Sequence, residues 1–344
     1  MIHIPTRARL SGSVLATFAL AAFALGDALP AVAEVLYVAS PNRVKVIDSQ
    51  SGAEIAAIDL GHTVFDIAFS ADGARAYLAV DDGVVEVDAM RHAVSGRLLE
   101  GPSFEVELAA DGKRLYVLGN DVDKLASEEQ VAGPSHLTAI DLAGRRVVSR
   151  HELGRGAEDM IVVGARAAVT RPERREVALV GLADGAVATS AAFTEKAAGE
   201  EAPGLLSGLA ASMDGKRLYL GQFGDRAAIH ALDLGTGAWS ELPFAHDGFM
   251  TGIQVAPDGR ALYVATRNHL AILDPVTGAE RAFVPLGGAH LKMALAPDGR
   301  RSYHTLPTLD DQGGAVTVVD LGAGRVERTI SIPGMSPITI AVRP

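Results

Sequence analysis

"APDGRALYV", residues 256–264, sets an Asp-Gly turn between a small apolar residue and an apolar run containing a tyrosine. Alone it is a hairpin signal, because Gly in such a dipeptide supplies the positive φ that a tight turn needs. The same pattern returns as "SADGARAYL" (70–78), "AADGKRLYV" (109–117), "SMDGKRLYL" (212–220) and "APDGRRSYH" (296–304). Five hairpins of one design mean a repeated unit, and a repeated unit decides the architecture.

A second marker travels with the first. An apolar strand ends in Asp and runs into a Gly-containing turn: "VKVIDSQSG" (44–52), "VVEVDAMRH" (84–92), "LTAIDLAG" (137–144), "IHALDLGTG" (229–237), "LAILDPVTG" (270–278) and "VTVVDLGAG" (316–324). "VALVGLADG" (177–185) is a further copy with Gly181 in place of the Asp. The interval is about forty residues, lengthened by inserts around "DVDKLASEEQVAGPS", "TEKAAGEEAPG" and "LPTLDDQGG" that read as loops.

Each unit reads as four short strands. One unit runs "TGIQVA", "RALYVAT", "HLAILD" and "AERAFVPL". The inner strands are almost continuously apolar, as strands buried on both faces are. The outer ones alternate: "GRVERTISI" puts polar side chains at every second position. About forty residues and four strands per unit make a propeller blade. The segment "EVLYVASPNRVKVID" after residue 33 matches a unit from its second strand onward, and "SPITIAVRP" at 336–344 matches the missing first strand. Six internal units plus this shared one predict an all-β, seven-bladed propeller with four-stranded antiparallel blades. Pairing of the C-terminal strand with the N-terminal strands closes the ring and removes its open edge. The unit at "DMIVVGARAAV" (159–169) has lost its Asp-Gly turn and is placed by spacing alone.

The bulk numbers agree with one large β domain. Of 344 residues, 48% are hydrophobic and only 5% aromatic, with 37 glycines to serve turns. A formal charge of −11 without a basic cluster excludes nucleic acid and anionic lipid as expected partners. There is no cysteine, which excludes disulfides, thiolate metal sites and thioether-linked haem. The N-terminus carries Arg7 and Arg9, then the apolar stretch "SVLATFALAAFAL", then "AVA" at 31–33. That is the layout of a signal peptide, with cleavage expected after Ala33. The expected organisation is a cleaved segment 1–33 and a single propeller domain 34–344.

With these motifs in place, the units resemble the YVTN-type β-propeller repeat, carried most fully by "APDGRALYVATRNHLAILDPVTG" (256–278) over residues 34–344. The resemblance implies the fold, and it implies kinship with periplasmic and surface propellers, with propeller subunits of quinoprotein amine dehydrogenases and with lactonase-type propellers. Fold alone does not name a reaction. Trp239 is the sole tryptophan, so tryptophan-docking repeats, sialidase boxes and a tryptophylquinone made within this chain are excluded.

Propellers place ligands at the mouth of the central channel, on the loops that lead into each innermost strand. Counting six residues back from each Asp-Gly aspartate reaches Asp66, Glu105, Gly208, Gly252 and Lys292, with Thr339 by extrapolation. In the degenerate unit the match is Asp159, beside Glu158. Asp66, Glu105, Asp159 and Lys292 are therefore the expected ligand-binding residues. Three converging carboxylates repel one another. A divalent cation such as calcium, a cationic ligand, raised pKa values or Lys292 would offset that. His62, His246 and His290 lie a few residues before three of these positions.

The expected role is an exported, non-catalytic binding or scaffold protein of the periplasm or the secreted fraction. It would be a monomer needing no cofactor, and it would engage a protein partner or a small molecule at the channel. No membrane anchor is expected after cleavage. One alternative is a metal-dependent, lactonase-type hydrolase, in which Asp66, Glu105 and Asp159 hold the metal and His62, His246 or His290 moves protons. Another is the propeller subunit of a periplasmic quinoprotein-type dehydrogenase, with the redox chemistry on a partner.

Overall fold

The computed structural model describes residues 34–124, 130–174, 176–192, 205–223, 227–246, 248–308 and 313–344. The expected signal segment, and most of the insert around "TEKAAGEEAPG", lie outside these residues. What is described is all-β apart from one short 3-10 turn, Pro172–Arg174. Among the described residues no helix is long and apolar enough to cross a membrane.

The strands form antiparallel sheets in propeller order. Five sheets have four strands each, and in each of them the strands neighbour one another in chain order. They begin at Ser103–Leu108, Met160–Val163, Leu205–Ala211, Met250–Val255 and Met293–Leu295. The remaining sheet has six strands, in the order Thr339–Arg343, Val35–Asp48, Glu54–Phe69, Arg75–Val80, Gly83–Asp88 and Ala93–Glu100.

The expected seven blades are corrected to six sheets. The reason lies in two long strands. Val35–Asp48 pairs through its first half with Thr339–Arg343 (Tyr37 opposite Ala341) and through its second half with Glu54–Phe69 (Val44 opposite Ile58). Glu54–Phe69 in turn pairs through its last residues with Arg75–Val80 (Ile67 opposite Leu78). Continuous hydrogen bonding thus joins what the sequence period counts as two units. Within Val35–Asp48 the chain doubles back at Asn42, whose φ is +73°, so that Ser49 N donates to Glu34 O at 2.8 Å. A core cluster that includes Tyr37, Val44, Val64 and Leu78 packs between the two halves of this sheet.

The two markers are turns with a mechanism. In the first, Gly73 N donates to Ser70 O at 2.8 Å, and Gly112, Gly215, Gly259 and Gly299 repeat the bond in their own units. Each of these glycines has a φ between +63° and +71°. This is an i to i+3 turn closed by a left-handed glycine, and because Ser70 N donates to Arg75 O at 2.9 Å the hairpin loop is residues 71–74. In the second, the aspartate side chain caps the turn that follows it. Asp274 Oδ1 accepts from Val276 N at 3.0 Å and from Thr277 N at 2.8 Å. The repeat tyrosines Tyr77, Tyr116, Tyr219, Tyr263 and Tyr303 are buried. Tyr219 stitches neighbouring sheets by donating its hydroxyl to Pro275 O at 2.9 Å.

Apolar clusters lie between successive sheets. One joins Ile229 and Tyr219 to Ile253 and Leu262. Another joins Leu36 and Val38 to Tyr303, Val316 and Ile340, so the two ends of the chain share one core. One insert expected as a loop is corrected. Around "DVDKLASEEQVAGPS" the flanking strands Arg114–Lys124 and Gln130–Asp141 extend as a hairpin, with Asn120 opposite Ser135 and Lys124 opposite Gln130.

Candidate functional site

The innermost strands are short and carry a recurrent irregularity. Pairing slips between Val64 and Asp66, between Ser103 and Glu105, between Leu206 and Leu209, and between Met250 and Gly252. These are bulges, which re-aim the side chain that follows. They fall at the positions reached by counting back from the Asp-Gly turns. The result is a cavity of about 460 Å³ lined by Asp66, Glu105, Asp159, Gly208, Gly252 and Lys292 together. Thr339 is not in that lining; it is buried with its hydroxyl unpartnered.

Asp66 Oδ2 accepts from Val106 N at 3.2 Å, which ties the first acid to the next sheet. Lys292 Nζ lies 3.8 Å from Glu105 Oε1. The Glu105 side chain is only 20% exposed. Its burial, with the charges of Asp66 and Asp159 adding to it, holds its carboxyl well above the usual range, against the pull of Lys292. Asp159 Oδ1 accepts from Met160 N at 2.8 Å. Burial pushes the Asp159 carboxyl up to about 6, while Lys292 and backbone amides draw it down. The same carboxylates, Glu105 foremost, raise the Lys292 ammonium above its ordinary value.

Two further acids line the cavity, Glu158 and Glu107. Glu107 was missed in the sequence. The signal was present in "FEVEL": Glu105 and Glu107 are two residues apart on one strand and so share a face. Glu107 Oε2 accepts from Val162 N at 2.5 Å, and burial pushes its carboxyl up to about 8.

Gly208, in the cavity wall, allows a close approach of the next sheet. Gly208 has a φ of +78°, and a Cβ there would meet Ile253 Cγ2 at 2.9 Å and Ile253 N at 3.0 Å. Backbone approaches closely here, and only glycine permits it. A second cavity of about 510 Å³ shares Asp66, Ile161, Leu209, Ile253, Gln254, Lys292 and Met293 with the first. Apart from Asp66 and Lys292 its lining carries no charge; it is made of residues such as Met213, Val255, Pro257, Leu295 and Ile340. Asp66 and Lys292 thus stand where an acidic end of the channel meets an apolar one.

The histidines are elsewhere, and their expected place beside the acids is corrected: none of the three lines the acidic cavity. His62 Nδ1 pairs with Asp81 Oδ1 at 2.8 Å while its Nε2 faces Arg97 at 3.2 Å. His246 pairs with Glu280 and stacks near Phe283 and His269. His290 is fully buried between Arg267 O at 3.1 Å and Thr317 Oγ1 at 2.9 Å, and burial lowers its pKa. These side chains knit loops and strands together.

The donor set does not suit a metal. The Lys292 ammonium stands among the carboxylates, and among the described residues no three His, Asp or Glu side chains are grouped to hold an ion. What the arrangement provides is a polar, mostly acidic chamber with carboxyl groups that hold protons to unusually high pH, opening onto apolar walls.

No protein-family model matches this chain, and no curated protein matches it. Solved structures share its fold. A functionally unknown protein from Desulfotomaculum acetoxidans aligns with a TM-score of 0.69 at 13% identity, over 89% of this chain and 98% of that one. A dihydro-heme d1 dehydrogenase, NirN, solved in complex with DHE, aligns with a TM-score of 0.61 at 16% identity, over 98% of this chain and 77% of that one. A eukaryotic initiation factor aligns with a TM-score of 0.51 at 11% identity, over 91% and 98%. At such identities the likeness is one of β-propeller fold alone.

Proposed function

We propose that this protein is an exported binding propeller that takes a small ligand in its central channel. The observation that carries this reading is the convergence on one cavity of the innermost-strand residues Asp66, Glu105, Asp159, Gly208, Gly252 and Lys292. A packed ring has no structural need for it. Buried carboxyls beside one another cost stability, and groups with strongly shifted pKa values cluster where ligands bind. Export rests on the Arg-led, apolar, small-residue pattern of residues 1–33.

The metal-dependent hydrolase is the weaker reading, because the Lys292 ammonium lines the cavity with the acids, 3.8 Å from Glu105, and the histidines are not in that lining. A dehydrogenase subunit draws no support from any observation specific to this chain.

The test is occlusion. Gly252 has an ordinary backbone conformation, and a Cβ there would meet Met293 Cβ at an unstrained 3.5 Å. Gly252→Leu adds bulk at the chamber wall beside Met293, and an unchanged Tm of the ligand-free variant is the control that the ring is intact. Small molecules that raise the Tm of the native protein by binding only its folded state should lose their effect in this variant. A ligand that stabilises both proteins equally binds elsewhere and sinks the reading. N-terminal sequencing of protein recovered from the cell exterior tests export: Glu34 is expected as the first residue, and retention of residues 1–33 inside the cell would overturn it.

A further inference from the structure

We propose that this protein has a second ligand site, apart from the channel, and that it takes a small neutral polyol. The site is a cavity of about 240 Å³ between the first sheet, which ends with Ala93–Glu100, and the second, which begins with Ser103–Leu108. It shares no lining residue with either channel cavity. Leu99 and Glu100 reach it from the first sheet, and Asn120, Asp121, His136 and Arg150 from the second.

The insert of the second unit supplies the polar wall. It lengthens Arg114–Lys124 and Gln130–Asp141 to 11 and 12 residues, where the corresponding strands of the other four-stranded sheets have five to eight. Asn120 and Asp121 lie on the added length. Successive residues of a regular strand face opposite ways. Here the pairing slips between Asn120 and Val122, and both Asn120 and Asp121 line the cavity. The link between the sheets is tied to the same strand: Asn120 N donates to Pro102 O at 3.1 Å. Gly119 permits that approach, since a Cβ there would meet Pro102 O at 2.3 Å.

Two buried acceptors in this wall have no partner. His136 is 8% exposed, and its Nε2 lies 2.7 Å from Asp121 Oδ2. A carboxylate only accepts, so Nε2 carries the hydrogen and Nδ1 of the neutral ring presents a lone pair. That Nδ1 is buried and unbonded, and so is Asn120 Oδ1. Buried polar atoms are nearly always hydrogen-bonded, so two orphans in one cavity wall mark missing donors.

The ligand therefore donates at two points, and charge narrows its class. Arg150 Nη2 pairs with Asp121 Oδ1 at 2.5 Å, so the guanidinium is already answered and offers an anion little. Glu100 is exposed, where water screens its charge, so a cation gains little either. Hydroxyl groups donate without carrying charge, and each turns about its C–O bond to meet its own acceptor. That freedom suits two acceptors held on neighbouring strands. Two hydroxyls on one small carbon frame satisfy Asn120 and His136, while the C–H surface of the frame covers Leu99, Pro102 and Val117. The cavity is smaller than the ~300–1,000 Å³ of sites for drug-sized ligands, which limits the frame to about one ring.

The experiment is nitrogen NMR of the imidazole groups of isotope-labelled native protein at mildly alkaline pH. The probes are myo-inositol and glycerol, with cyclohexanol as a ring bearing one hydroxyl and acetamide as a neutral N–H donor. Loss of one pair of signals in His136→Gln identifies the His136 ring. Both polyols are expected to shift the His136 Nδ1 signal saturably, as a lone pair does when it gains a donor, and cyclohexanol and acetamide are expected to leave it in place. Asn120→Ala should weaken inositol binding about tenfold, the loss of one hydrogen bond. Asn120→Asp keeps an acceptor oxygen and should retain binding, which guards against an alanine variant that folds poorly. Gly252→Leu, in the channel, should bind inositol like the native protein. A His136 Nδ1 signal that no polyol moves would overturn the site. An equal shift with cyclohexanol or acetamide would overturn the polyol class. Inositol binding lost in Gly252→Leu and kept in Asn120→Ala would put the polyol in the channel and overturn the second site.

Discussion

Lys292 Nζ and Glu105 Oε1 meet 3.8 Å apart across the channel cavity, one from the sixth sheet and the other from the second. Each is the residue its own unit presents at the start of its innermost strand. The pair exists only because the ring brings distant units together. Replacing Lys292 by methionine leaves the acids without their internal counterion. With Lys292 35% exposed and partly screened, the loss near neutral pH should be about 1–2 kcal/mol. The lysine stabilises only while the carboxylates are charged, so the deficit should shrink as the pH falls and they take up protons. Urea melts at acidic and mildly alkaline pH measure this; an equal deficit at both would mean that the methionine merely packs badly.

Glu107 gives a pH dependence of the opposite kind. Its carboxyl is raised to about 8 in the folded protein. The folded chain therefore binds a proton that the unfolded chain has already lost above its ordinary value of about 4.3. Stability attributable to Glu107 falls as the pH rises through that window. Glu107→Gln keeps an oxygen for the Val162 N–H and removes the charge. It should flatten the profile and exceed the native protein above pH 8 by on the order of 2 kcal/mol. A variant less stable than the native protein at alkaline pH would show that the carboxylate is favourably bound there.

Asp274 works the other way again. The backbone amide and hydroxyl of Thr277, then the Val276 amide and Arg281, hold its carboxyl far below the usual range. A depressed carboxylate contributes stability that is present above its unfolded pKa and lost as the pH falls toward the folded value. Asp274→Ala should melt below the native protein at neutral pH, and the gap should narrow under acid conditions in a calorimetric scan. A gap independent of pH would assign the loss to turn geometry alone.

Ring closure predicts cooperativity. Ile340 lies on the closing strand, 5% exposed, in one cluster with Leu36, Val38 and Tyr303. Ile340→Ala should cost about 2–4 kcal/mol. Trp239, the sole tryptophan, is in the fourth sheet, away from the closing strand. If the ring unfolds as a unit, Trp239 fluorescence and far-ultraviolet circular dichroism should shift to lower denaturant together. Separate transitions would mean that the closing sheet opens on its own.

Local chemistry made most of this fold readable from the chain alone. Gly73, Gly112, Gly215, Gly259 and Gly299 mark turns whose geometry depends on a few neighbouring atoms, and the turn aspartates cap bonds within three residues of themselves. The candidate site was legible to the same degree. A fixed offset from the Asp-Gly turns reached Asp66, Glu105 and Lys292, and unit spacing reached Asp159, because every unit sets the corresponding position at the start of its innermost strand, and strand alternation held Glu107 ready to be found.

Tertiary structure decided the rest. The count of sheets turned on whether Val35–Asp48 and Glu54–Phe69 would bond continuously through two neighbours each, which sequence period does not encode. The histidines were assigned by proximity in sequence, yet the backbone carries His290 into a buried pocket beside Thr317 and His246 against Glu280. Above all, the bulges before Asp66 and Glu105 set which way those acids point, and only the closed ring brings Lys292 to them. A side chain's type is written in the chain, whereas its direction and its electrostatic neighbours follow from packing at long range.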